Sequence, residues 1–193
     1  RIMNPTVAVL EERMAALEGG RGATAVASGH AAQVIALFPL MNPGDTFVAS
    51  NKLYGGSVTQ FSKTFAKFGW NVRFVDPDDI DAVRRAVDEK TKAVFTECLA
   101  NPGGVVVDIE NLARIAHDAG APLIVDNTLA TPYLLRPIDY GADLVVHSTT
   151  KFLSGTGTTI GGVVVDSGRF DWGKSGKFPD LSAPCAAYHG LRF

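Results

Sequence analysis

The sequence contains few cysteines, no long apolar run and little net charge. Cys98 and Cys185 are the only cysteines among 193 residues, which is too few for a disulfide framework, and neither belongs to a CxxC pair. The longest nearly apolar run, residues 34–41, is far shorter than the ~20 residues that cross a bilayer. A net charge of −2 gives no general attraction to nucleic acid or anionic lipid. These absences exclude a disulfide-rich secreted module and a membrane protein, and they favour a cytoplasmic protein.

The two ends of the chain carry no processing signal. No basic segment followed by an apolar one opens the sequence, so nothing indicates export. The first residue is Arg1 rather than methionine, and the last residues are YHGLRF. We therefore expect a fragment of a longer chain.

What the sequence does contain is an alternation of β-rich runs and helical patterns from about residue 45 onward. The β-rich runs are apolar along their whole length, which is typical of a parallel sheet covered on both faces. An earlier helix carries Val7, Leu10, Met14 and Leu17 on one stripe. The sequence therefore predicts an α/β fold with three layers, α/β/α, around a mostly parallel sheet. The predicted strands are residues 46–50, 71–75, 92–97, 122–126, 143–147 and 161–166.

Polar residues follow four of these strands directly. In such sheets, ligands bind outside the carboxyl ends of the strands. The polar groups therefore predict a binding site at this edge, formed by residues 50–54, 97–101, 126–128 and 147–151.

Two phosphate-binding motifs are only partly matched. Residues 168–175, GRFDWGKS, fit the P-loop expression, but Asp171 puts a carboxylate where phosphate would lie, and the residues that follow cannot begin a helix. Residues 155–162, GTGTTIGG, have the wrong spacing for a dinucleotide fingerprint and precede a strand. Neither segment predicts nucleotide binding.

A better anion site lies at the start of an apolar helix. Ser28 is a suitable N-cap, and Gly29 lets the backbone approach a ligand. Free amides at Gly29, His30 and Ala31 would hold a phosphate at the positive end of the helix. An ordinary serine-capped helix fits the same residues. His30 has no second ligand at a suitable spacing, so no metal site is predicted.

Lys151 follows Ser148, Thr149 and Thr150 at the exit of a strand. A free lysine has a pKa of about 10.4 and is a poor nucleophile at neutral pH. An aldehyde cofactor removes this difficulty because it forms an imine with the amine, and the hydroxyls of Ser148 and Thr150 would bind its phosphate. The alternative is a lysine that closes a strand and points into water.

Asp126 and Tyr54 complete the set of candidate site residues. Asp126 ends an apolar strand, so its carboxylate is shielded and needs a partner, such as a protonated ring nitrogen. Tyr54 lies among glycines at another strand exit and would stack on a flat ring. A turn cap and plain packing are the respective alternatives. Together with the phosphate site and Lys151, these residues indicate pyridoxal 5'-phosphate (PLP).

Six segments of the chain match one family in order. They are RIMNPT, ASGHAA, LYGGS, ANP, VDNTLATPYLLRP and HSTTKFLSG, between Arg1 and Gly155. In these segments the chain resembles the Cys/Met-metabolism (trans-sulfuration) family of PLP enzymes. The resemblance implies that residues 1–193 form the large PLP-binding domain of PLP fold type I, the aspartate-aminotransferase-like fold. That domain would be truncated at both ends and would lack the C-terminal small domain.

The resemblance also implies roles for individual residues. Lys151, Asp126 and Tyr54 would be catalytic: Lys151 holds the cofactor covalently and later transfers a proton, Asp126 pairs with the pyridine nitrogen, and Tyr54 stacks on the ring. Asn101 would lie near the phenolic oxygen or the substrate carboxylate. Arg1 would reach the phosphate in a neighbouring subunit, which implies a homodimer or homotetramer. The phosphate itself would be held by Ser28, Gly29, His30, Ser148 and Thr150.

The reaction implied by the resemblance depends on the segment after the lysine. Residues 155–191 look like the O-acetylhomoserine sulfhydrylase branch, whose reaction converts O-acetylhomoserine and sulfide to homocysteine and acetate. The alternatives are a methionine or cystathionine γ-lyase, a cystathionine γ-synthase, or an inactive fragment that keeps only the fold. The chain departs from the family pattern in three ways. The tyrosine before Arg1 is missing, ANPGG replaces ANPT, and the domain with the substrate-binding arginine is absent.

Overall fold

The computed structural model describes residues 4–192, and within them seven strands alternate with helices. Each strand predicted from residue 46 onward is present, with bounds that differ by at most one residue at either end. The strands are β1 Gly22–Val26, β2 Thr46–Ser50, β3 Asn71–Val75, β4 Thr91–Glu97, β5 Leu123–Asp126, β6 Leu144–Ser148 and β7 Gly162–Asp166. The α-helices are α1 Pro5–Glu18, α2 Gly29–Leu37, α3 Gly55–Thr59, α4 Ile80–Ala86, α5 Ile109–Asp118, α6 Thr131–Leu134 and α7 Pro179–Ser182.

Local capping interactions set the ends of the long helices. Asn4 begins α1 because its side-chain oxygen accepts the N–H of Thr6 at 2.9 Å, and Asp108 begins α5 in the same way. Gly120 lies just beyond the end of α5 with φ of +64°, a conformation that glycine adopts without steric cost.

The seven strands form one sheet in the order β1-β7-β6-β5-β4-β2-β3. All pairs are parallel except the two that involve β7, which runs antiparallel to β1 and β6. The sheet is therefore mostly parallel, as predicted. The carboxyl ends of β1, β2, β4, β5 and β6 lie at one edge.

Both faces of this sheet are buried against helices. Successive strand residues point to opposite faces, and in β2 Val48 belongs to one core cluster while Phe47 and Ala49 belong to another. The first cluster includes α4 and α5 residues, and the second includes α2 residues. This arrangement confirms the predicted α/β fold class.

Three local features differ from the sequence predictions. On α1, Met14 is buried, but Val7, Leu10 and Leu17 are exposed, because the helix also contacts the sheet through Glu11 and Glu18. Strand β1 was not predicted, since its small residues lack a clear strand pattern. The helical pattern after the predicted strand 46–50 does not form one continuous helix, because residues 55–68 are divided into α3, a π-helical turn and a 3-10 turn.

None of the helices in residues 4–192 combines the length and the apolarity needed to cross a bilayer.

Candidate active site

A pocket of about 250 Å³ opens at the carboxyl edge of the sheet. Nine of the ten predicted site residues line it, and the tenth, Arg1, lies outside the described residues. The sheet topology explains this convergence, because the residues that follow β1, β2, β4, β5 and β6 all emerge at the same edge. The nine are Ser28, Gly29, His30, Tyr54, Asn101, Asp126, Ser148, Thr150 and Lys151.

The start of α2 forms one wall of the pocket. Ser28 is the N-cap, as predicted, and its Oγ accepts the N–H of Ala31 at 3.1 Å. The Ala31 amide is therefore already satisfied. The N–H groups of Gly29 and His30 have no acceptor among residues 4–192, so two helix N-terminal donors remain available for an anion.

Gly29 brings this helix end very close to the end of β6. A Cβ at position 29 would lie 2.7 Å from Cβ and 3.0 Å from Cα of Ser148, too close for any side chain. Only glycine therefore allows the two free amides and the Ser148 hydroxyl to face the same space. That hydroxyl has no hydrogen-bond partner among residues 4–192.

Asp126 forms part of the pocket floor at the end of β5. It is 8% exposed, and its Oδ1 accepts the N–H of Thr128 at 3.0 Å and the Thr128 hydroxyl at 2.5 Å. Its Oδ2 accepts a longer bond of 3.5 Å from Gln33 Nε2. These donors are neutral, so burial raises the pKa of Asp126, although the Thr128 bonds act in the opposite direction. A cationic partner in the pocket would favour the carboxylate.

Lys151 lies on the loop after β6 and lines the same pocket as Asp126. Its ammonium group has no ion pair or hydrogen bond with any residue of the described part of the chain. The neighbouring Thr150 differs in this respect, because its hydroxyl donates to the carbonyl of Gly161 and accepts the N–H of Gly161. Thr150 thus fixes the loop that carries Lys151, while Lys151 itself is available for chemistry.

Tyr54 and Asn101 lie on the rim. Tyr54 caps α3, and its half-exposed ring stacks on His30 with ring centroids 6.1 Å apart. Asn101 follows β4. The backbone N–H groups of both residues bond to one side chain, Glu97, at 2.7 and 3.0 Å.

Four polar residues of the pocket had no individual role in the prediction: Gln33, Ser57, Glu97 and Thr128. Glu97 and Thr128 lie within the predicted segments 97–101 and 126–128, whereas Gln33 and Ser57 lie outside all the predicted segments. Gln33 donates to Ser57 Oγ at 2.8 Å as well as to Asp126. Thr128 donates to Asp126 and accepts the N–H of Ser148 at 2.8 Å. Two sequence signals were available, since Gln33 interrupts an apolar helix and Glu97 ends an apolar strand.

Of the two phosphate-binding motifs considered from sequence, residues 155–162 contribute Ile160 to the pocket lining, whereas residues 168–175 lie away from it. In residues 168–175, Asp171 Oδ1 accepts hydrogen bonds from the backbone N–H groups of Gly173 and Lys174. A P-loop would need these N–H groups free to bind phosphate. No group of three or more His, Cys, Asp and Glu side chains in residues 4–192 is arranged to hold a metal ion.

Comparison with known proteins identifies the family. A family model described as Cys/Met metabolism PLP-dependent enzyme matches residues 1–187. The chain belongs to this family. Its relatives include a sulfhydrylase of Gibberella moniliformis, 51% identical over 100% of this chain and 45% of that protein. The O-acetyl-L-homoserine sulfhydrylase of Leptospira meyeri is 48% identical over 100% of this chain and 43% of that protein. The chain therefore spans less than half the length of these curated family members.

Solved structures of family members share the fold. A Campylobacter jejuni protein described as O-acetylhomoserine (thiol)-lyase, which contains N'-pyridoxyl-lysine-5'-monophosphate, is 40% identical with a TM-score of 0.94 over 99% of this chain and 48% of that chain. O-acetylhomoserine sulfhydrylase of Wolinella succinogenes is 43% identical with a TM-score of 0.85 over 92% of this chain and 50% of that chain. The predicted resemblance, its PLP-dependent chemistry and its fold are thus confirmed at the level of the family.

Proposed function

We propose that the chain is the cofactor-binding part of a PLP-dependent O-acetylhomoserine sulfhydrylase. Such an enzyme replaces the acetate of O-acetylhomoserine with sulfide and forms homocysteine. The observation that carries the proposal is that Lys151 and the buried carboxylate of Asp126 line one pocket, while neither forms an ion pair within residues 4–192. Relatives about 50% identical to this chain are named as sulfhydrylases. These names favour replacement of the acetate by sulfide over a γ-lyase reaction.

The pocket chemistry fits PLP group by group. Asp126 would pair with the ring nitrogen, because burial disfavours the charge of this carboxylate and a protonated nitrogen beside it would favour that charge. The free amides of Gly29 and His30, capped on one side by Ser28, would bind the phosphate together with the Ser148 hydroxyl. Thr150 would act mainly by fixing the lysine loop, since its hydroxyl is bonded to Gly161.

Bound PLP supplies an electron sink that makes the Cα proton of an amino-acid substrate acidic. Lys151 would hold the cofactor through its amine and, once displaced by substrate, would move that proton. Tyr54 would cover one face of the ring from the rim, and Asn101 would contact the phenolic oxygen or the substrate carboxylate. Asp126 would keep the ring nitrogen protonated, because a buried carboxylate beside that nitrogen favours its positively charged form.

The remaining parts of the proposal concern the assembled protein. Residues 1–193 would be the large PLP-binding domain, and a further domain would supply the group that binds the substrate carboxylate. Arg1 would reach the phosphate site of a second copy in a homodimer or homotetramer. A cytoplasmic location would suit Cys98 and Cys185, which are unpaired thiols.

An assay of two substrates side by side tests the reaction. The complete parent protein, purified with PLP, is given O-acetylhomoserine plus sulfide, and separately methionine. We expect homocysteine from the first mixture, no product from Lys151→Ala and full activity from Lys174→Ala, whose lysine lies outside the pocket. Keto acid from methionine without homocysteine from the first mixture would instead indicate a γ-lyase. A protein that shows no absorbance change with PLP would be an inactive scaffold.

A further inference from the structure

Glu97 is a buried carboxylate to which the proposed mechanism gives no role. It is the last residue of β4, pairs in register with Asp126 at the end of β5, and is 6% exposed. Residues paired across neighbouring parallel strands direct their side chains to the same face of the sheet. Both carboxylates therefore face the pocket, which both line.

The two oxygens of Glu97 connect two separate loops. Oε1 accepts the N–H of Tyr54 at 2.7 Å, on the loop after β2, and Oε2 accepts the N–H of Asn101 at 3.0 Å, on the loop after β4. Tyr54 and Asn101 lie on the pocket rim and would contact the cofactor or the substrate. One side chain thus fixes the backbone on two sides of the opening.

The surroundings of Glu97 disfavour its negative charge. Within residues 4–192, no Lys, Arg or His side chain forms an ion pair with it. The pKa of Glu97 is raised to about 7, chiefly by burial and also by the negative charge of Asp126, while the N–H groups of Tyr54 and Asn101 act in the opposite direction. The other titratable groups on the elements around it are those of Tyr54, His30 and Lys151 in the pocket and the adjacent thiol of Cys98.

We propose that Glu97 is a positioning residue that holds the Tyr54 and Asn101 loops together across the pocket, and that loss of its proton loosens this rim. The inference rests on the proposed function, which assigns Tyr54 and Asn101 to the cofactor and the substrate. It adds a residue that acts through these two rather than on the reacting atoms.

Proton linkage gives the direction of the effect. With the rim closed, the pKa of Glu97 is about 7, and when water reaches the side chain it returns toward the ordinary value of 4.5. The closed rim therefore binds more protons between these two values. The free-energy preference for the closed rim over the open rim is greatest below about pH 4.5 and decreases as the pH rises toward 7.

Amide hydrogen exchange of the cofactor-free protein tests the proposal. After correction for intrinsic exchange, we expect the opening constant measured at the amides of Tyr54 and Asn101 to rise at least about tenfold between pH 5 and pH 7. In Glu97→Gln the pH dependence should disappear. At least one of the two amides should be less protected at low pH, because the glutamine NH2 only donates, whereas the hydroxyl oxygen of a protonated carboxyl can still accept a hydrogen bond.

A matched control is Glu11→Gln. Glu11 also accepts a backbone N–H, that of Ala25 at 2.8 Å, but it lies on α1 outside the pocket, so the rim should keep its pH dependence in this variant. Protection that does not change with pH in the wild-type protein would overturn the proposal. So would the same pH dependence in Glu97→Gln. If Glu97→Gln fails to fold, the wild-type titration still decides.

PLP binding gives a second readout. We expect Glu97→Gln to bind PLP about tenfold more weakly at neutral pH, since a rim amide loses its acceptor. Unchanged affinity would contradict the positioning role while leaving the proposed function intact. A wild-type protein that binds no PLP would contradict the proposed function, whereas the exchange result on Glu97 would stand.

Discussion

Asp126 shows how a single residue can be destabilising for the empty protein and useful for its ligand. Its carboxylate is buried, and its partners are the neutral donors Thr128 and Gln33. Burial raises the pKa of Asp126, so the folded state holds its proton more tightly than the unfolded state. The contribution of protonated Asp126 to the stability of the empty protein is therefore lost as the pH rises through its folded-state pKa. A cation bound beside the carboxylate would offset this loss.

Replacing this carboxylate should separate stability from binding. At pH 8, we expect Asp126→Asn to raise the melting temperature of the PLP-free protein by about 2–4 °C and to weaken PLP binding at least about tenfold. The new amide can donate to Gln33 Oε1, which has no partner within the described part of the chain. Melting curves at pH 5 and pH 8 measure the first effect.

The control for this variant is Asp108→Asn. The N–H of Asn111 lowers the pKa of Asp108, the N-cap of α5, so removal of this charge should lower the melting temperature at pH 8 rather than raise it. A lower melting temperature for Asp126→Asn at pH 8 would contradict the account, because it would show that the buried charge of Asp126 does not destabilise the folded protein.

At the scale of elements, the contact between α2 and the end of β6 determines the shape of the phosphate site. We expect Gly29→Ala to lower the free energy of unfolding by about 1–3 kcal/mol, because its Cβ would lie 2.7 Å from that of Ser148. PLP affinity should fall as well. Urea unfolding and a PLP titration measure the two effects. Gly22→Ala is the control, since nothing lies within 4 Å of a Cβ there; equal losses in both variants would refute the steric explanation.

Helix α1 is held to the sheet by a fully buried polar cluster. Glu18 Oε1 accepts from Asn127 Nδ2 at 2.9 Å and lies 2.5 Å from His147 Nε2, and both Glu18 and His147 have 0% side-chain exposure. Asn127 and His147 adjoin Asp126 and Ser148 along the chain. The cluster therefore ties α1 to the two strand ends that carry site residues.

Removing one member of this cluster should be costly. We expect Glu18→Ala to lower the free energy of unfolding by about 3–5 kcal/mol, because it leaves buried polar groups without a partner. Urea unfolding measures this free energy. Glu12→Ala, on the exposed side of α1, is the control and should change the free energy of unfolding by less than about 0.5 kcal/mol. A loss below about 1 kcal/mol for Glu18→Ala would mean that the cluster contributes little.

At the scale of the whole molecule, the parallel sheet brings together residues that are far apart in sequence. Ser28 and Lys151 are separated by most of the chain but face one pocket, because their strands end at the same edge. This convergence could be predicted from apolar strands followed by polar residues. The site residues next to strand ends, such as Asp126 and Ser148, were predicted for that reason.

Other features depend on packing that no local pattern reveals. Strand β1 consists of small residues, and it is a strand because β7 pairs with it. The burial of Glu18 and the exposure of Leu17 reverse what hydropathy predicts, since the cluster with His147 fixes the orientation of α1. The link from Gln33 to Asp126 joins residues 93 positions apart. Only the tertiary structure shows that they meet.

The most direct test of the account is chemical trapping of the cofactor. The protein is mixed with PLP, reduced with borohydride, digested and examined by mass spectrometry. We predict a phosphopyridoxyl group on the peptide that contains Lys151, and no such group at any position in Lys151→Ala. Modification of another lysine instead, or modification that persists in Lys151→Ala, would contradict the central claim that Lys151 and Asp126 form one PLP site.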